Sequence, residues 1–345
     1  MTSFLLLLAF AQDPPLAEEL ARIRSKPVLT EEEKKGYAFP PVKPLEGRRT
    51  YTLAVVPLRF RDGALGARNL SKLFFEDAAR YFSAASGGRF ELRGAVGEAA
   101  ALDVERSKVA EADLAALAES RRGKADGVAI VAAVGPGARG SALWPHKERA
   151  REVEYILVPE EASGRELGIV AHEFFHLLGL VDKYGDKRSD VGKACILATG
   201  YNEKDPALPC ADCRRRLGWA VAAAWDCRQA AMIVMEPDLT RSLKILVNPE
   251  GTEALLLEMQ ERLLVWHLGG GTAIEFVGMY PSEGDDRLTP FSDPPFRGRS
   301  LGAVSPWITD IRVEGGKAYF KVASEGALTA LEEWRRSRVG RRIGD

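Results

Sequence analysis

Residues 165–182 read RELGIVAHEFFHLLGLVD, and this stretch decides how the rest of the chain is interpreted. Its apolar residues recur at helical spacing, which predicts a helix from Arg165 to Val181 that packs under a sheet. Residues four apart lie on one face of a helix. His172 and His176 therefore project two imidazoles to the same side, close enough to share a zinc ion. Glu173 lies one step round the helix, where it can accept a proton from water without ligating the metal.

A catalytic zinc commonly has three protein ligands, and the residues after the helix offer the third. Gly179 can adopt the left-handed conformation that ends a helix, which would turn the chain so that Asp182 returns toward the ion. The string then reads HExxHxxGxxD. Glu203 is the alternative third carboxylate. The structural alternatives are a satisfied histidine pair on the helix and, for Asp182, an ordinary turn.

Other residues could assist at such a centre, although each also has a plain structural interpretation. Tyr201 or Tyr184 could donate a phenolic hydrogen bond to an oxyanion, or either could be a packing residue. His146 could lie behind the ligands or on the substrate side, or it could be a packing residue. His267 falls in a later strand and is predicted to be structural.

An acidic stretch follows the motif and favours calcium as a further metal. Asp182, Asp186 and Asp190 could supply oxygen ligands, although their spacing matches no firm loop signature.

All four cysteines fall within a short part of the chain, and this even count has two interpretations. Two disulfides are favoured if the chain is exported, with three connectivities open. A structural zinc site is the alternative, but only one pair has the C-x-x-C spacing of a zinc knuckle. The residues are Cys195, Cys210, Cys213 and Cys227.

The composition and the apolar N-terminal stretch indicate which partners the protein binds and in which compartment it acts. The net charge of −1 and the absence of long runs of one sign argue against nucleic acid. No segment reaches the ~20 apolar residues of a membrane-spanning helix, so stable membrane insertion is not expected. Phe4 to Ala11 is apolar and ends in a small-x-small pattern, which predicts a signal peptide and a secreted or periplasmic protein. A frayed terminal helix is the alternative, and the oligomeric state is open.

The chain resembles the immune-inhibitor-A-type family of secreted zinc metallopeptidases over about Tyr51 to Gly270. The motif helix carries most of this resemblance, and other segments follow in the family's order. These segments are Tyr81 to Phe90, Leu143 to His146, Tyr155 to Glu160, Leu217 to Trp219, Leu255 to Gln260 and Leu263 to Leu268. The resemblance implies a metzincin-like two-lobed catalytic domain, export, proteolysis of protein substrates and a β-sandwich-like region behind the catalytic part.

Two departures from that family concern the site and the cleft. Leu197 stands where the family usually has methionine in the turn beneath the metal, and this swap conserves volume. The connection between LLLEMQ and LLVWHL is shorter than in relatives.

Together these observations predict an α+β protein, and a secreted zinc-dependent endopeptidase that cleaves protein or peptide substrates with Glu173 as general base. A non-catalytic secreted zinc protein that binds a protein or glycan is the alternative. The predicted segments are a signal peptide at 1–11, a leader or pro-segment at 12–49, a catalytic domain at 50–225, a β-rich region at 226–325 and a charged helix at 326–345.

Overall fold

The computed structural model describes residues 29–41, 45, 47–63, 66, 69–133, 142–160, 165–184, 191–248, 250–269, 274–280, 288 and 306–323. The predicted signal peptide and C-terminal helix lie outside the described residues, as do residues 12–28 of the predicted leader. Asp186 and Asp190, on which the calcium suggestion depends, also lie outside them, and nothing in the described part of the chain supports calcium.

A largely parallel sheet forms the first half of the protein, in the order β2-β1-β4-β6-β5, with β3 also paired to β1. Only β5 runs antiparallel, against β6. Its strands are β1 (Arg49–Phe60), β2 (Phe90–Val96), β3 (Ala100–Leu102), β4 (Gly127–Ala132), β5 (His146–Ala150) and β6 (Val153–Pro159). The centre of the sheet is apolar on both faces because helices cover both, and all six residues of β4 are buried.

Alternate residues of each strand point to opposite faces, so the two faces have separate cores. On one face, Val128 and Ile130 of β4 pack with α3 (Glu111–Arg121). On the other face, Ala129 and Val131 belong to a core that also contains the second helix and the motif helix. The short first helix, α1, is Glu31–Lys34, and the second, α2, runs from Leu70 to Ala85 with a π-helical stretch at Leu73–Ala78.

The motif helix, α4 (Glu166–Leu177), packs under this sheet as predicted. Its Phe174 ring lies 5.1 Å from the ring of Tyr51 on β1 and 4.7 Å from that of Phe82 on α2, measured between centroids. These aromatic contacts hold one face of α4 rigidly, and the histidines lie on another.

Two further sheets form the β-rich part, which was expected to be sandwich-like. One has the order β12-β11-β10-β9-β7 and the other the order β13-β14-β8. Their facing residues form one core, so they pack against each other. The elements are α5 (Ala211–Arg216), β7 (Val221–Asp226), β8 (Ala231–Met235), β9 (Arg241–Leu246), β10 (Ala254–Met259), β11 (Leu263–Leu268), β12 (Ile274–Tyr280), β13 (Trp307–Glu314) and β14 (Lys317–Ala323).

The two predicted disulfides are not formed, which corrects that expectation. All four cysteines are buried, and none of them is disulfide-bonded. The reason is spatial: Cys195, Cys210 and Cys213 lie together beside α4, whereas Cys227 packs in the core between the second and third sheets. Cys227 therefore belongs to a different core from the other three.

No helix in the described ranges is long and apolar enough to cross a membrane.

Candidate metal centre

The end of α4 sets the position of the third candidate ligand. Gly179 has φ +89°, the left-handed conformation predicted for it. Its N–H donates to the His176 carbonyl (3.0 Å), and the next N–H, of Leu180, donates to the Phe175 carbonyl (3.1 Å). This pair of bonds is a Schellman motif, which satisfies carbonyls at the helix end and reverses the chain. The reversal brings Asp182 back to the histidines.

Three side-chain atoms meet at this point in a nearly equilateral triangle. His172 Nε2 lies 3.2 Å from Asp182 Oδ1, His176 Nε2 lies 3.3 Å from the same oxygen, and the two Nε2 atoms are 3.3 Å apart. A tetrahedral zinc with ligands at about 2.0–2.2 Å has ligand–ligand edges of about 3.3–3.6 Å. The triangle therefore has the dimensions of one face of a zinc tetrahedron.

The hydrogen bond made by Nδ1 of each histidine explains why its Nε2 is an acceptor, as the Asp182 oxygen already is. His172 Nδ1 donates to the Ile196 carbonyl (2.8 Å), and His176 Nδ1 donates to the Leu180 carbonyl (2.9 Å). A neutral imidazole that donates from Nδ1 carries a lone pair on Nε2. Two lone pairs and a carboxylate oxygen thus converge, and a cation among them satisfies all three at once. The residues present fit a zinc ion.

Without a metal ion, a proton on a histidine is the other source of positive charge in the triangle. The pKa values of His176 and Asp182 are shifted in the direction that favours it. Burial lowers the pKa of His176, but hydrogen bonds to Asp182 and the Leu180 carbonyl outweigh burial and raise it. Burial raises the pKa of Asp182, but the bonds with His172 and His176 hold it well below its usual value. Both shifts show that the triangle attracts positive charge.

Glu173 lies beside the triangle but forms none of its corners. The residue is only 5% exposed, and its Oε2 has no hydrogen-bond partner within the described ranges. Burial raises the pKa of this carboxyl, although the nearby His172 and His176 oppose the change. A buried carboxylate oxygen without a protein partner is placed to accept from a water molecule.

The centre is open to solvent on one side. The His172 side chain is 4% exposed and that of His176 is 14% exposed, whereas that of Asp182 is 41% exposed. Solvent therefore reaches the centre from the Asp182 side, and the helix core closes the other.

Both candidate tyrosines lie at the centre. Measured between ring centroids, Tyr201 lies 4.6 Å from His172, and Tyr184 stacks on His172 at 6.0 Å. Burial raises the pKa of Tyr184, and the neighbouring Asp182 carboxylate raises it further. Gly168 allows Tyr201 to come so close, because a Cβ at that position would lie 2.0 Å from the Tyr201 carbonyl oxygen.

The structure separates the remaining sequence candidates. Glu203 lies outside the triangle and pairs with Lys193 at 2.7 Å, so Asp182 is the carboxylate brought to the histidines. His146, on β5, contacts Glu111 at 3.1 Å and acts electrostatically on Glu173. His267 lies in the second sheet, 2.9 Å from Glu253 and 3.2 Å from Glu275, which agrees with a structural role.

Several groups that organise the centre were missed in the sequence. The Ile196 carbonyl holds His172, and the Leu197 carbonyl accepts from the Lys183 N–H (2.6 Å), so the turn expected beneath the metal acts through its backbone. The Lys183 ammonium is buried and lies 3.7 Å from the Asp212 carboxylate on α5. The sequence shows only that a lysine follows Asp182; its burial, which requires a partner charge, is seen in the structure alone.

Neither a protein-family model nor a curated protein sequence matches the chain, so membership of the immune-inhibitor-A-type family is not shown.

Among solved structures, the chain is similar to the archaemetzincin of Methanopyrus kandleri, at 16% identity and a TM-score of 0.32 over 48% of this chain and 93% of that one. It is also similar to a zinc-dependent peptidase from Methanocorpusculum labreanum, at 14% identity and a TM-score of 0.31 over 48% of this chain and 99% of that one. A likeness of this size establishes neither fold nor activity, and the assignment below depends on the geometry of the centre.

Proposed function

We propose that this chain is a zinc-dependent endopeptidase that hydrolyses peptide bonds in protein substrates. One observation carries the proposal: His172, His176 and Asp182 form a face of a zinc tetrahedron, with the buried Glu173 beside it. A site that only bound metal would not need a buried carboxylate that ligates nothing.

The residues of the centre divide into ligands and a base. His172, His176 and Asp182 would hold the ion, and the Ile196 and Leu180 carbonyls orient the two rings. Zinc in such a site supplies a Lewis acid, which polarises a carbonyl and lowers the pKa of water toward neutrality. Glu173 accepts the proton of the attacking water and passes it to the leaving amine. Tyr201, whose ring faces His172, is our candidate for stabilising the oxyanion.

The edge of the first sheet supports a peptide as substrate. β5 pairs only with β6 within the described sheet, so its outer edge presents backbone N–H and C=O groups. An extended peptide can add to such an edge as a further strand. His146 at the start of β5 acts on Glu173 electrostatically, so this edge lies near the base. Trp144, just before the strand, is 46% exposed and offers an apolar surface.

We also propose that the protein is exported and that it is related to the immune-inhibitor-A-type family. Export depends on the apolar stretch from Phe4 to Ala11, and fractionation of the host cell would test it.

Proteolysis by the Glu173→Gln variant tests the function. This change removes the base but keeps its size, so we expect casein hydrolysis to fall by about 10²–10⁴-fold while zinc content stays at the wild-type level. Glu203→Gln is the matched control, because that carboxylate lies outside the triangle, and its activity should equal that of the wild type.

Two results would oppose the proposal. Full activity in Glu173→Gln would show that another group is the base. A folded, zinc-loaded wild type that cleaves none of a diverse set of polypeptides would favour the non-catalytic zinc protein instead.

A further inference from the structure

Three cysteines converge behind the candidate metal centre, and the proposed peptidase function does not use them. Cys195 lies in the turn beneath His172, and Cys210 and Cys213 lie at the start of α5. Their sulfur atoms all lie within 4.8 Å of one another, and those of Cys210 and Cys213 are 3.5 Å apart. All three are buried. A tetrahedral zinc with Zn–S bonds of about 2.3 Å has S···S edges of about 3.8 Å, which is close to the Cys210–Cys213 distance and lies within the 4.8 Å that encloses all three sulfurs.

The surroundings of Cys195 favour a thiolate at that position. The backbone N–H of Cys210 points at Cys195 Sγ, 3.3 Å away, as donors do toward a metal-bound thiolate. The guanidinium of Arg214 is buried next to the cluster and interacts electrostatically with all three sulfurs. Arg214 also pairs with the buried Glu258, so the N–H donor at Cys195 is the feature that neutral thiols packed as apolar groups would not need.

A disulfide explains the cluster less well than a metal does. Bonded sulfurs are about 2.0 Å apart, well below the separation of Cys210 and Cys213, and one disulfide would leave the third thiol unused. Cys227 provides an internal comparison, since it is also buried but lies in the other core and does not join the group.

We propose that Cys195, Cys210 and Cys213 bind a second metal ion as thiolates, and that this ion is a soft divalent cation such as zinc. Three thiolates suit zinc rather than calcium or magnesium, which prefer oxygen ligands. Binding displaces one proton from each thiol, so the site would load more tightly as pH rises.

The position of this second site gives it a structural role. Cys195 immediately precedes Ile196 and Leu197, whose carbonyls hold His172 and the Lys183 N–H. An ion bound to Cys195 and to the start of α5 would fix that turn against the helix. The sulfur site would thus keep the histidine site in shape without touching a substrate.

Cobalt substitution of the full-length chain tests the second site, because Co²⁺ reports its ligands spectroscopically. Thiolate ligands give intense sulfur-to-cobalt charge-transfer absorption in the near ultraviolet, which a site of two histidines and an aspartate cannot give. We expect two Co²⁺ ions per wild-type chain together with this band. In Cys213→Ser we expect the band to weaken sharply and one ion to be lost, while Cys227→Ser should keep both.

His176→Ala separates this proposal from the peptidase assignment. That variant should lose the histidine-bound ion and retain the sulfur band, and whether the chain cleaves peptides does not affect the band. A wild type without the band, or a band that is unchanged in Cys213→Ser or lost in Cys227→Ser, would overturn the sulfur site.

A measurement on the wild type avoids dependence on the folding of variants. In denaturant-free buffer, a thiol reagent should modify the cluster slowly in the metal-loaded protein and at least tenfold faster after a strong chelator is added. Equal rates with and without the chelator, or a Cys210–Cys213 disulfide found by mass spectrometry in the native protein, would also overturn it.

Discussion

Gly179 determines whether the third ligand reaches the metal centre. It holds φ at +89° at the end of α4, and open space surrounds the position where a Cβ would lie. A side chain there would meet no clash but would strain the backbone, since a left-handed conformation costs an L-residue about 1–2 kcal/mol. The helix end would respond by shifting, and Asp182 lies only three residues further on.

We expect Gly179→Ala to weaken zinc binding at least tenfold and to lower the free energy of unfolding by about 1 kcal/mol. Competition with a chromophoric chelator and denaturant unfolding measure the two effects. Gly123→Ala is the matched control, because Gly123 also has positive φ (+55°) and open space but lies at the end of α3, away from the centre. The control should show the loss of stability only, and equal zinc affinities in the two variants would disprove this role of Gly179.

At the residue scale, the sequence identified the atoms that form the triangle and could not identify those that orient it. His172, His176 and Asp182 have side chains that bind metals, and their spacing on a helix and after a glycine is readable. The carbonyls of Ile196 and Leu180 carry no such signature, because every residue has a carbonyl.

At the scale of elements, strands with an apolar pattern were predicted well and polar edge strands were missed. The largely apolar run Ala254–Met259 forms a buried strand, as its pattern favours. β5 reads HKERA and has no apolar alternation, because it lies at an edge of the sheet and one side of it meets no neighbouring strand among the described residues. Its position beside the candidate centre follows only from pairing with β6, which no local pattern reveals.

Helix α5 is tied to the metal centre by a buried carboxylate, and this tie should depend on pH. Asp212 accepts from Arg215 (2.8 Å) and Arg216 (2.7 Å) and faces the buried Lys183. Burial raises the pKa of Asp212, but the arginine bonds outweigh it, so the folded pKa lies below the ordinary value of 3.8. A depressed folded pKa stabilises the protein above the unfolded pKa, and that contribution is lost as the pH falls through the folded value.

We therefore expect the unfolding free energy of the wild type to fall between about pH 5 and pH 2 more steeply than that of Asp212→Asn. Urea unfolding at a series of pH values measures the two slopes. Asp205→Asn, which removes an exposed carboxylate, is the control and should keep the wild-type slope. If Asp212→Asn also keeps it, the Asp212 network contributes no pH-dependent stability.

At the scale of the whole molecule, the part that carries the candidate metal centre and the β-rich part share a core. The core around α4 includes Leu256 and Trp266 from the second sheet, and the boundary predicted at residue 225 falls within β7. A buried ion pair between Arg214 on α5 and Glu258 on β10 joins the two parts, and Trp266 Nε1 also donates to Glu258 (3.0 Å). The sequence could not predict this junction, since nothing in the residues of β10 shows which element packs on the face that carries Leu256 and Glu258.

We expect Glu258→Gln to lower the free energy of unfolding by about 3–5 kcal/mol, because it leaves Arg214 buried without a counter-charge. Zinc release and loss of secondary structure should follow one transition on heating, since both parts depend on the same junction. The control pair is Lys193–Glu203 at the surface, where Glu203→Gln should change stability by about 0–1 kcal/mol. A small effect of Glu258→Gln, or zinc loss well separated from unfolding, would contradict a shared core.

Anomalous X-ray diffraction at the zinc edge, from crystals of the zinc-loaded protein, tests the central claim most directly. We predict a peak at about 2.0–2.2 Å from His172 Nε2, His176 Nε2 and Asp182 Oδ1, with the Glu173 carboxylate close by but not bonded to the ion. A loaded protein with no peak among these atoms, or with Glu203 as the third ligand in place of Asp182, would contradict it.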